Sequence, residues 1–170
     1  MSESTAPSDK SLAFLLLRLW LAQRSIVAGL EKFAGQSTVK QPLLDEFGNP
    51  DISGAMVEVK QKAYALGNYH GIPDSLLNAF QREPLLPGFL LNIYAGSLGY
   101  LLIVTGLLLL LGICTRTMLV LTGLIYVSLT FGLMLINQND GVAWLGLHVL
   151  ITAAALCLAS HNRYALFKKF

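Results

Sequence analysis

Residues 89–112 read FLLNIYAGSLGYLLIVTGLLLLLG, with no charged side chain in the run. Crossing a bilayer takes about 20 consecutive apolar residues at ~1.5 Å of rise each. A helix is the form that satisfies its own backbone in lipid. Two stretches of the same character follow, residues 118–136 and 142–160, parted by short polar turns. Ahead of them, residues 11–33 make a fourth, interrupted by Arg18, Gln23 and Arg24. The expected fold is an all-α membrane protein: a four-transmembrane-helix bundle, with a long extracytoplasmic loop, residues 35–88, between the first two spans. Residues 1–10, MSESTAPSDK, read as a disordered tail.

Composition points the same way. The 170-residue chain is 54% hydrophobic and 13% charged, against about 25% charged in an ordinary soluble domain. A net charge of +2 and the lack of a basic run argue against nucleic acid as a partner. The first apolar segment exceeds the ~7–15-residue core of a signal peptide and lacks an A-x-A site, so it is expected to be retained. Four spans place both termini and the turn between spans two and three on one side, with Lys10, Arg116, Arg163, Lys168 and Lys169. The long loop holds more acids (Asp45, Glu46, Asp51, Glu58, Asp74, Glu83) than bases (Lys40, Lys60, Lys62, Arg82). The positive-inside rule then makes the termini cytoplasmic and the loop extracytoplasmic.

The loop is far longer than the ~12–15 residues of a plain connection. Its prolines and glycines cut it into short pieces. Gly54–Leu66 is expected to form one short helix, and the residues after Pro73, Asp74–Phe80, a second one lying in the interface. Together they read as a cap over the outer end of the helices, or as a surface loop without a task. Cys114 and Cys157 are not in a C-x-x-C pair and are read as small core residues. His148 has no second histidine at its level, so no metal site is expected.

The charge inside the first span carries the functional argument. Arg at a span's centre costs roughly 2.5–3.5 kcal/mol on insertion scales, so it calls for a reason. At ~1.5 Å per residue Arg24 lies roughly 20 Å from the cytoplasmic edge, the level that Thr130 and His148 reach in spans three and four. Each belongs to a stripe at helical spacing: Trp20, Arg24, Ala28 and Glu31; Thr122, Tyr126 and Thr130; Trp144, His148 and Thr152. In span two, Asn92, Ala95, Gly99 and Gly106 form a small-residue face suited to close helix approach. Lipid offers polar groups no partners, so these stripes are expected to face inward. Arg18, nearer the cytoplasm, is expected to snorkel there. The candidate ligand-binding residues are Arg24, Glu31, Tyr126, Thr130 and His148. The same residues also read as hydrogen-bonding glue, with Arg24 and Glu31 as a structural pair.

Span one, LLRLWLAQRSIVAGLEKFAG, resembles the opening helix of the DoxX family, with its early arginine and its close at Gly29, Leu30, Lys32 and Phe33. The end of span two, TGLLLLLGICTR, is similar to the family's junction, through Gly106, Gly112, Thr115 and Arg116. The family's usual acidic residue early in span two is not found in Asn92–Thr105. The resemblance implies a four-helix protein of the bacterial or archaeal plasma membrane. Relatives of the DoxD type are subunits of thiosulfate:quinone oxidoreductase, and others associate with redox partners.

Two functional readings follow. In one, the chain is a redox-linked membrane subunit binding a quinone head group or a small anion in the polar layer. Arg24 polarises a carbonyl or holds the anion, His148 relays a proton and Tyr126 hydrogen-bonds. In the other, it is a non-catalytic scaffold within a larger membrane complex. The sequence holds no nucleophilic triad, phosphate loop or flavin motif, so electrons would enter through a partner subunit.

Overall fold

The computed structural model describes residues 8–43, 49 and 54–166. Four helices are long and apolar enough to cross a membrane: α1 (Asp9–Leu30), α3 (Gly88–Leu111), α4 (Thr115–Leu135) and α5 (Asn139–Leu158). A short helix, α2 (Asp74–Phe80), precedes α3. The first and last long helices are each extended by a 3₁₀ turn, Glu31–Phe33 and Ala159–His161. Their outward faces are strongly apolar: Leu124, Val127, Phe131 and Leu150 are all at least half exposed. A surface of that kind belongs in lipid rather than water.

Local chemistry sets the ends. Ser8 caps α1, its hydroxyl accepting from the Ser11 N–H, and Asp9 sits in the first turn where the helix dipole favours an anion. The helix therefore starts inside the segment read as a tail; residues 1–7 lie outside the described residues. At the end of α3, Gly112 adopts φ 74°. The Ile113 N–H reaches the Leu108 carbonyl and the Gly112 N–H the Leu109 carbonyl, the paired bonds of a Schellman ending. Cys114 is also left-handed, at φ 44°, and α4 starts immediately after it.

Helix α1 packs against α3 and α5, and α4 against α5 and α3. The α1–α3 contact is made backbone to backbone. A Cβ on Gly29 would lie 2.9 Å from the Gly99 carbonyl oxygen, and one on Gly106 at 2.9 Å from that of Ala22. Small residues at these positions let the helices approach closely enough for dispersion to hold them where no hydrophobic effect acts between helices. The main core joins Phe14 and Leu21 of α1, Leu109 of α3, Leu119 and Tyr126 of α4, and Ala155 of α5. A second cluster lies at the other end, around Ile72, Phe80 and Leu91.

The segment between α1 and α3 departs from expectation. Met56–Tyr64 forms a strand, β2, not the helix foreseen over Gly54–Leu66. It pairs antiparallel with β1 (Ala34–Pro42), from Ala34 opposite Tyr64 to Pro42 opposite Met56. The chain is therefore not all-α. The reason lies in the run Val57-Glu58-Val59-Lys60: apolar and charged residues alternate with period two, and β-branched valines suit a pleated ribbon. The alternation gives the ribbon one face bearing Val39, Val57 and Val59 and another bearing Lys40, Glu58, Lys60 and Lys62. Asp45, Glu46, Asp51, Lys168 and Lys169, used above to assign orientation, lie outside the described residues.

The returning chain docks on α3 through Tyr69. Its hydroxyl donates to the Ala95 carbonyl at 2.6 Å and accepts from the Gly99 N–H at 3.2 Å. Those two groups are four residues apart, the donor and acceptor of one step of the helical ladder, so the phenol bridges that step. Gly99 makes room, since a Cβ there would lie 2.7 Å from Tyr69 Cε2. Gly71 is equally constrained: its Cβ would overlap the Ala95 carbonyl group. Phe33, Tyr69 and Tyr100 pack ring on ring around this contact, with centroids 4.8–5.3 Å apart.

Candidate functional site

The residues expected to share one layer divide into three groups. Tyr126 and His148 come together inside. Both are almost wholly buried, and their rings meet edge to face at 5.4 Å. The Tyr126 hydroxyl bonds Ser25 Oγ of α1 at 3.1 Å. The Trp20 ring stacks over the imidazole with centroids 6.5 Å apart, and Trp20 is itself half exposed. Three helices thus contribute to one cluster: α1 gives Trp20 and Ser25, α4 gives Tyr126, and α5 gives His148.

The protonation pattern of His148 follows from its contacts. Nδ1 is 2.7 Å from the Trp144 carbonyl oxygen, one turn back on α5. A carbonyl only accepts, so Nδ1 carries a proton and donates to it. Nε2 is buried and has no partner among the described residues; the same holds for Thr122 Oγ1, one turn from Tyr126. A buried polar atom without a partner forfeits ~1–3 kcal/mol, so a molecule that bonds Nε2 of His148 would recover that cost.

Thr130 lies one turn from Tyr126 but turns its hydroxyl to the Tyr126 carbonyl at 2.7 Å, as Thr152 does to that of His148. These two threonines satisfy their own helices. Arg24 is not in the interior: its side chain is on the exposed face of α1, next in the stripe to Trp20. The inward face of α1 runs instead through Ser11, Phe14, Arg18, Leu21, Ala22, Ser25 and Gly29. The small residues Ala22, Ser25 and Gly29 take the close helix contacts, and this turns Trp20 and Arg24 outward. Asn92 is likewise exposed, whereas Gly99 and Gly106 of its stripe face α1.

Glu31 belongs to a third group, at the base of the hairpin. It accepts from Lys62 Nζ at 2.5 and 2.6 Å and from the Tyr64 hydroxyl at 3.1 Å, so it ties the end of α1 to β2. No contact joins it to Arg24. The same hydrogen bonds, to Glu31 first and then to Tyr64, hold the Lys62 ammonium above the ordinary lysine value. Both side chains are about half exposed, so the pair is worth little in stability.

The cation inside is Arg18. It is 3% exposed and does not snorkel. Nη1 donates to Asn162 Oδ1 at 2.8 Å and Nη2 to the Tyr164 carbonyl at 3.0 Å. The Asn162 amide donates on to Thr115 Oγ1 at 2.9 Å. One side chain of α1 thereby fastens the segment after α5 to the first residue of α4. Its position on the face of Phe14, Leu21 and Ser25 is the sequence signal that marks it as internal. Of the cysteines, both are free; Cys114 is half-buried in the α3–α4 turn and Cys157 is exposed on α5, not a core residue.

Against known proteins, the chain matches no family model, no curated sequence and no solved structure.

Proposed function

We propose that this chain is a DoxX-like, redox-linked membrane subunit that binds the head group of a quinone-class molecule at the Trp20–Tyr126–His148 cluster. The observation that supports the reading is the unpartnered, buried Nε2 of His148. A quinol presents a hydroxyl that unprotonated Nε2 accepts; when a partner subunit removes the two electrons, one hydroxyl proton passes to Nε2 and the other leaves with the electrons to the partner subunit. Trp20 covers the imidazole from the exposed side of α1, so a flat ring enters in its place with a rotation of one side chain. Arg24, exposed on α1, would donate to the oxygen on the far side of the ring. In this reading the protein lies in a bacterial or archaeal plasma membrane with both termini cytoplasmic, and the hairpin is extracytoplasmic.

The scaffold reading has a specific observation of its own. Almost every residue of β1 and β2 is exposed, and an isolated two-stranded ribbon is marginal in water. A ribbon of this kind gains stability by lying on another subunit.

Purification in mild detergent, followed by solvent extraction and mass spectrometry, tests the first reading. Wild-type protein is expected to retain a quinone that His148→Phe loses, because Phe keeps the ring packing and removes the acceptor. Equal retention by both, or none in the wild type together with a stable larger assembly, favours the scaffold.

A further inference from the structure

At the hairpin end, a cavity of about 330 Å³ lies between α2, α3 and α4. It is at the small end of the ~300–1,000 Å³ range of small-molecule pockets. Its walls are apolar, with Leu76 and Phe80 from α2, Leu91 from α3, and Leu129 and Leu133 from α4 prominent among them. Phe80 and Leu91 are themselves buried, so α2 is seated on the long helices and closes one side. The polar features are few. Tyr94 and Ser128 bond each other at 2.7 Å across α3 and α4, and this consumes the serine hydroxyl, which also donates to the Ile125 carbonyl at 2.8 Å.

The other polar residue is Lys32, the one charged residue of the lining among the described residues. Its stem lies along α3 where Gly99 leaves room: a Cβ on Gly99 would be 3.1 Å from Lys32 Cβ and 3.3 Å from its Cγ. No carboxylate pairs with it among the described residues; the neighbouring Glu31 is engaged by Lys62. An apolar cavity whose lining includes a lysine with no carboxylate partner among the described residues is complementary to a molecule with a greasy body and an anionic end.

We propose that this cavity binds a single-chain anionic amphiphile, with its chain among the leucines and its carboxylate or phosphate on Lys32. The site is separate from the Trp20–Tyr126–His148 cluster, and neither depends on the other. The carboxylate class is a free fatty acid and the phosphate class a lysophospholipid. One charge and a volume of this size suit a single chain, not a two-chain phospholipid.

Palmitate and lysophosphatidate carrying diazirines, with a diazirine monoacylglycerol as neutral control, test this on the full-length protein in nanodiscs. Photolabelled peptides are mapped by mass spectrometry. Labelling is expected to concentrate on α2 and on residues 128–133 of α4. Lys32→Gln is expected to weaken the anionic probes about tenfold and leave the neutral one unchanged. Gly132→Leu, which fills the cavity beside Phe80 and suits a membrane helix, is expected to abolish labelling by all three. The ratio of palmitate to lysophosphatidate labelling identifies the source of the ligand. Labelling no denser at α2 and α4 than along the outer face of α5 would mean ordinary lipid contact and overturn the proposal. So would wild-type labelling in Gly132→Leu, or equal loss of charged and neutral probes in Lys32→Gln.

Discussion

Deleting one oxygen should loosen the whole segment that returns from the hairpin. Tyr69→Phe keeps the ring between Phe33 and Tyr100 and removes only the hydroxyl that bridges the Ala95 carbonyl and the Gly99 N–H. Each neutral hydrogen bond is worth a net ~0.5–1.5 kcal/mol. Two are lost, and α3 recovers about one through its own ladder step between Gly99 and Ala95. The net cost is then about 1 kcal/mol. It falls on local opening of residues 65–87 rather than on the long helices, which keep their packing. A cost of that size raises the open population about fivefold.

Limited proteolysis reads this directly, because cleavage tracks the open population when reclosing is fast. Trypsin cutting at Arg82 in detergent-solubilised protein should be about five times faster in Tyr69→Phe. Gly71→Ala should be more severe, since its Cβ would overlap the Ala95 carbonyl, and the loop must lift off α3 to accommodate it. Gly99→Ala should resemble Tyr69→Phe, and combining the two should cost less than their sum, as the alanine displaces the ring that the phenylalanine has already loosened. An unchanged cutting rate in Tyr69→Phe would refute the claim that the bridging hydroxyl holds the segment down.

Three further outcomes are expected. Arg18→Leu should loosen residues 162–166, which keep the Asn162–Thr115 and Leu166–Leu111 bonds, with a loss of about 2 kcal/mol: two charge-assisted hydrogen bonds go, offset in part by relief from burying a cation; thermal unfolding in detergent checks it, and a rise in melting temperature would refute it. In ¹⁵N-lysine NMR, Lys62 should titrate above the ordinary lysine value. Because its folded pKa is raised, the tie to Glu31 is present below the unfolded lysine pKa and is lost as pH rises through the higher folded one, and Glu31→Gln should abolish the difference. A Lys60→Cys variant should be labelled in intact cells by an impermeant maleimide and Arg116→Cys only after permeabilisation; the reverse pattern would invert the proposed orientation.

The long helices were legible because length and apolarity alone define a membrane span, and both are properties of composition within a window. Which way each span faces was legible only in part. The glycine stripe of α3 was read correctly at Gly99 and Gly106. On α1 the reading follows the most costly residue, Arg24, while the decisive ones are the least conspicuous: Ala22 and Gly29 govern how near α3 can come, and Ser25 meets Tyr126 of α4. The orientation of a helix is set by its closest contact, and small residues make that contact. The hairpin was missed for a different reason. Punctuation by glycine and proline was given more weight than the period-two pattern of residues 57–60. Tyr69 gave no local signal at all, because its role depends on one step of a helix some thirty residues further along the chain.

Helix α4 has a consequence for how the two candidate sites can be separated. Successive residues of a helix are turned by about 100°, so Ser128 and Gly132 lie on the side of α4 away from Tyr126, which bonds Ser25 of α1, and they line the cavity with α2 and α3. The same helix is one wall of the Trp20–Tyr126–His148 cluster and one wall of the apolar cavity. Its polar side chains belong to one site each, while Leu129 lines the cavity and also packs on the core that holds Tyr126. Tyr126 bonds Ser25, and Ser128 bonds Tyr94. A change at Gly132 fills the cavity from its own side and leaves the Tyr126 ring packed, while a change at His148 acts on α5 and does not touch the cavity lining. If a quinone were lost from both His148→Phe and Gly132→Leu, one continuous ligand would run from the cluster past α4 to the cavity, and the two sites would be one. Loss from His148→Phe alone, with amphiphile labelling intact, is what a solid α4 partition requires.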